Sequence, residues 1–110
     1  MKDLAKHQDM TVKLERYGIL LTYHQRQVME KHFYFDLSLQ EIADELEISK
    51  SAVSEIVVSS TAKLDELEST LHLIEQERLL SEYCDELEKN ADEKIKKIIN
   101  KIRKLTDHGI

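Results

Sequence analysis

Proline is absent from the sequence, and glycine occurs only at Gly18 and Gly109. Two isolated glycines cannot build a phosphate-cradling loop, so nucleotide chemistry of that kind is not expected. The single cysteine, Cys84, excludes an internal disulfide framework and suits a reducing cytosol. No apolar run approaches the ~18 residues that a membrane-spanning helix needs. The opening MKDLAKHQDM lacks the apolar centre of a signal peptide. A cytoplasmic protein without a membrane span is the expectation. A basic excess is also lacking: 22 Asp and Glu outnumber 16 Lys and Arg, for a net charge of −6. Nucleic-acid binding would then have to come from local basic patches.

What is abundant is Leu, Ile, Glu and Lys, and 35% of the residues are charged. With so few helix breakers, this composition predicts an all-α chain with long helices. A first helix is expected over residues 3–17, with Gly18 as a left-handed C-cap. Thr22 and Gln25 have capping-box spacing at the start of a second helix, and Ser38 and Glu41 repeat it for a third. Between these boxes, His32-Phe33-Tyr34-Phe35 reads as core packing beneath the next motif. A base-stacking platform is the alternative.

The stretch Leu39–Val58, LQEIADELEISKSAVSEIVV, fits a helix-turn-helix. Ile42, Ala43, Leu46, Ile48, Val53 and Ile56 follow its inner face. Ser49 caps the second helix of the motif. Glu47 falls at the turn position that favours positive φ, at a cost on the order of 1 kcal/mol for a residue other than glycine. The helical pattern then continues through Leu64, Leu67, Leu71 and Ile74, steps of three, four and three. It stumbles at Gln76-Glu77-Arg78 and resumes with Leu80, Cys84 and Leu87. A final amphipathic segment carries Ile95, Ile98, Ile99, Ile102 and Leu105. The expected organisation is a helical region over residues 1–68, with the helix-turn-helix at 38–58, and a C-terminal extension over 69–110. Gly109 is expected to lie in a fraying terminus.

The segments LTYHQRQVMEKHF, DLSLQEIADELEISKSAVSEI and AKLDEL together resemble region 4 of sigma factors. More narrowly, LERYGILLT, DLSLQEIADELEISKSAV and KLDELESTLHLIE resemble the YlxM family. This likeness covers roughly residues 12–75. It implies a three-helical, winged-helix-like core without a wing and a long C-terminal helical part. It also implies a DNA-binding or regulatory role and a link to the signal recognition particle pathway. Where YlxM-like chains usually carry Arg-Gln and a later basic pair, this one has Lys50-Ser51 and Val58-Ser59.

The outward residues of the motif are expected to be Ser49, Lys50, Ser51, Ser54, Glu55 and Val58. Lys50 suits guanine or a phosphate, the serines suit either hydrogen-bond role, and Glu55 suits cytosine. From Leu20 to Thr70, however, four Lys or Arg stand against ten Asp or Glu. Such a surface repels DNA at long range. Two readings therefore stay open: DNA binding, and protein contact on the same scaffold. Adjacent Val57 and Val58 favour the second, because at least one valine must point outward. A homodimer is expected through Val57, Leu64, Leu67, Leu71, Ile74, Ile95, Ile98 and Ile102. The basic tail, Lys94, Lys96, Lys97, Lys101, Arg103 and Lys104, is either a solvated helix face or a binding site for RNA phosphates, an anionic surface or an acidic helix. Glu68 and His72 stand four apart, but two ligands are a weak metal signal. His7, His24, His32, His72 and His108 are scattered. Cys84 reads as a buried structural thiol. No nucleophile–base pair, cofactor or catalysis is expected.

Overall fold

The structure, a computed structural model, describes residues 4–106. The described residues form six α-helices and no strand: α1 Leu4–Tyr17, α2 Tyr23–Phe33, α3 Leu39–Leu46, α4 Lys50–Leu71, α5 Leu73–Glu88 and α6 Glu93–Thr106. A 3-10 turn, Gly18–Leu20, joins α1 to α2. His108 and Gly109 lie outside the described residues. The chain divides into two compact units, Met1–Leu71 and His72–Ile110.

In the first unit, both capping boxes are formed. The Gln25 N–H donates to Thr22 Oγ1 at 3.1 Å, and the Thr22 N–H donates to Gln25 Oε1 at 3.1 Å. Ser38 and Glu41 make the same reciprocal pair at 3.0 and 3.1 Å. Each box satisfies backbone donors that the first helical turn leaves without partners. Because Ser38 donates its N–H to the Glu41 carboxylate, that carboxyl titrates below its usual range.

The core of the motif is Val28, Ile42, Ala43 and Val53, all buried. Leu37, Leu39, Leu46, Ile48, Ile56 and Val57 pack around it. Each fully buried aliphatic side chain contributes about 1.5–3 kcal/mol. The small Ala43 lets α3 and α4 approach. Helix α1 lies against α2 and α4, burying Met10, Leu14 and Tyr17. Lys13 Nζ bridges Asp9 at 2.9 Å and Asp65 at 2.8 Å, tying α1 to α4. The Tyr17 hydroxyl donates to the Glu68 carboxylate.

The structure differs from the sequence expectations in five places. Gly18 is not left-handed; it begins the 3-10 turn and is buried. A Cβ there would meet Leu14 Cδ1 at 3.3 Å, so the glycine serves close approach rather than positive φ. The aromatic run is not core throughout: α2 ends at Phe33, and Tyr34 and Phe35 beyond it are 41% and 70% exposed. The helical break falls at His72, with φ 56°, and not at Gln76–Arg78. Arg78 instead lies within α5 between Glu75 and Glu82, so charge pairing fills the apparent gap in the apolar stripe. The break also means that Glu68 and His72 do not share a helix, and that Leu71 and Ile74 belong to different ones. Finally, Leu64 is fully buried within the long helix, so it is not a surface residue.

The second unit is the α5–α6 hairpin, in which Cys84 and Ile99 are buried. The Asp92 carboxylate caps α6 by accepting from the Ile95 N–H at 2.9 Å. Arg103 reaches from α6 to Glu88 with two bonds of 3.0 Å, and to Asp85 at 2.6 Å. This pairing holds the Glu88 carboxyl below the usual range. Among the described residues, no helix is long and apolar enough to cross a membrane.

Candidate functional site

The turn of the motif is closed by its backbone. Glu47 is left-handed at φ 57° and ψ 43°, and its N–H donates to the Ala43 carbonyl. The Ile48 N–H reaches the same carbonyl at 3.1 Å. Ile48 thereby folds back onto the core cluster and turns the chain into α4. Ser49 Oγ accepts from the Ala52 N–H at 3.0 Å and caps α4, which places Lys50 in the first helical turn.

Ser49, Lys50, Ser51, Glu55 and Val58 are exposed, and Ser54 is half-buried. These residues therefore share the outward side of the start of α4. Lys50 sits at a helix N-terminus, where free N–H groups and the helix dipole favour an anion. Val58 is 67% exposed, whereas Val57 packs against the core. The two valines divide between surface and interior, and only Val58 is an outward apolar contact.

The exposed residues of α3 and the turn that precede Lys50 are mostly acidic. Glu41, Asp44, Glu45 and Glu47 are all exposed on α3 and the turn. Lys31, which could have offset them, is held by Glu45 at 2.6 Å. Gln40 donates to Asp44 at 2.8 Å.

The interface candidates are likewise sorted by burial. Leu67 and Ile74 are half-buried, and Leu71 is 42% exposed. On α6, Ile95 and Ile98 are exposed while Ile102 is half-buried. The basic tail is not one uniform face. Arg103 is consumed by Glu88 and Asp85, and Lys96 stands 3.8 Å from Glu93. Lys94, Lys97, Lys101 and Lys104 are exposed. They step by three, four and three along the outer side of α6.

A further feature escaped the sequence pattern. A groove of about 550 Å³ between α1, α2 and α4 is lined by Lys6, His7, Met10, Lys13, His32 and Phe33, among others. The His7 and Phe33 rings are 5.1 Å apart, and His32 meets Phe33 edge-on at 4.9 Å. His32 Nδ1 also lies 2.8 Å from the Leu37 carbonyl, which requires that nitrogen to donate. The His7–Phe33 contact, which joins α1 to α2, leaves no local spacing signal.

The capped, tightly turned pair α3–α4 on a Val28–Ile42–Ala43–Val53 core defines a helix-turn-helix protein. Residues 4–105 match the YlxM / p13-like helix-turn-helix family, UPF0122, and the chain belongs to that family. A UPF0122 protein of Mycoplasma capricolum is 40% identical over 92 residues, covering 83% of this chain and 81% of its own length. One from Bacillus mycoides is 34% identical over 108 residues, covering 93% of this chain and 98% of that protein.

Proposed function

We propose that this protein is a regulatory, non-catalytic binding protein of the signal recognition particle pathway, and that its helix-turn-helix docks a protein partner. The pathway rests on the resemblance of DLSLQEIADELEISKSAV and of the following LHL to the YlxM family. The choice of a protein partner rests on one observation. Exposed carboxylates, Glu41, Asp44, Glu45 and Glu47, occupy α3 and the turn that leads into Lys50, and Val58, two turns further along α4, is 67% exposed. Phosphate neutralisation drives DNA affinity. An acidic α3 and turn followed by an exposed apolar residue on α4 suit a basic, partly apolar protein surface instead.

Duplex DNA is the second reading. It is favoured by Ser49, Lys50 and Ser51 standing exposed at the N-terminus of α4.

The test is a low-salt titration of the full chain against purified signal recognition particle proteins, their RNA and random duplex DNA. Val58→Asp is expected to abolish binding to a protein component, and Lys50→Ala to leave it intact. Salt-sensitive duplex binding that Lys50→Ala weakens, with no protein component bound, would replace the first reading by the second.

A further inference from the structure

The second unit has about forty residues and fully buries only Cys84 and Ile99 among its described hydrophobic residues. Units of this size usually need metals, disulfides or association to be stable. The same unit leaves Tyr83 and Leu87 56% exposed, Ile98 51% and Leu105 77%.

These side chains share one face. Arg103 bonds Asp85 and Glu88, which fixes one edge of the hairpin. Helical side chains advance by about 100° per residue. Turning round α6 from Ile99 away from Arg103, one meets Ile102, Ile98 and Leu105, and then Lys94 and Lys101. Turning round α5 from Cys84 away from Asp85, one meets Leu80, Leu87, Gln76, Tyr83 and Leu79, and then Glu86. The apolar face is therefore rimmed by lysine on the α6 side and by glutamate on the α5 side.

We infer that this face binds a second copy of the chain, forming an antiparallel four-helix bundle. The charges choose the arrangement. A two-fold axis parallel to the helices sets each α6 against the partner α5, bringing the lysine rim of one copy to the glutamate rim of the other. An in-plane axis perpendicular to the helices stacks lysine on lysine, which is repulsive. The cavity in which Cys84 faces Ile102 and Leu80 faces Thr106 places Lys101–Lys104 level with Glu82–Glu86. Rotation about a parallel axis preserves that level, so Lys101 of each copy meets Glu86 of the other. The interface is isologous, as a closed dimer requires. It is independent of what the helix-turn-helix binds.

The experiment is sedimentation equilibrium of the full chain and four variants, with circular dichroism confirming that each variant is folded. The wild-type chain is expected to dimerise. Lys101→Glu and Glu86→Lys are each expected to raise the dimer dissociation constant about tenfold or more. The double variant Lys101→Glu/Glu86→Lys is expected to restore the dimer. A monomeric wild-type chain would overturn the inference, as would a dimer indifferent to both single changes, or a double variant no tighter than either single one. Leu87→Asp gives a charge-independent check, expected to be folded and monomeric; a folded dimer would count against this face.

Discussion

The hydroxyl of Tyr17, at the end of α1, donates to the carboxylate of Glu68 near the end of α4. The Tyr17 side chain is fully buried, and its partner lies 51 residues away. The bond thus joins the first and last helices of the unit that holds the helix-turn-helix. Hydrogen bonds to charged groups contribute about 1.5–3 kcal/mol. Tyr17→Phe is expected to lower stability by about 1.5 kcal/mol. Urea denaturation would measure this, and an unchanged midpoint would refute it.

Ser60 gives the opposite sign. Its side chain is fully buried on α4, and its hydroxyl oxygen has no hydrogen-bond partner. Leaving a buried polar group without a partner costs about 1–3 kcal/mol. Ser60→Ala is expected to raise stability by about 1 kcal/mol. Thermal melting should show a higher midpoint; a lower one would mean that the hydroxyl contributes more than it costs.

Glu47 holds a backbone conformation that costs a residue with a Cβ about 1–2 kcal/mol. Glu47→Gly relieves this, although glycine also loses more freedom on folding. The net expectation is a gain of about 0.5–1 kcal/mol in equilibrium unfolding. The change also removes a carboxylate near Lys50, so any duplex affinity measured at low salt should rise.

Acid should loosen the hairpin. Hydrogen bonding from Arg103 lowers the Glu88 carboxyl, so the unfolded chain binds its proton at higher pH than the folded one. Stability from this pairing is complete above the ordinary carboxylate range and is lost as pH falls through the lowered folded value. The Glu41 cap follows the same sign because Ser38 lowers its carboxyl. Melting temperature should fall between about pH 5 and pH 3, and Glu88→Gln should flatten the slope. An identical slope in that variant would exclude the pairing as its source.

Local chemistry was legible in the sequence because it acts over three or four residues. The boxes Thr22–Gln25 and Ser38–Glu41, the Ser49 cap and the left-handed Glu47 all have the expected geometry. So does the burial of Cys84. The break at His72 was hidden because the apolar steps from Leu67 through Leu71 to Ile74 retain helical spacing across it. Arg103 looked like one of six tail cations because its acidic partners lie 15 and 18 residues earlier. At least one of Val57 and Val58 was expected to point outward; only packing decides that Val57 turns onto the core and Val58 out. The outward residues of α4 were legible as positions, since periodicity gives the face and not what meets it.

The burial of Cys84 has a practical consequence. It is the sole thiol in the chain and is buried in the hairpin, lining a cavity of about 200 Å³ with Leu80, Ile102 and Arg103. Alkylation by a reagent too bulky for that cavity must wait for the hairpin to open, so its rate is a built-in clock for opening of the second unit. If two hairpins close on each other, the clock should slow as protein concentration rises.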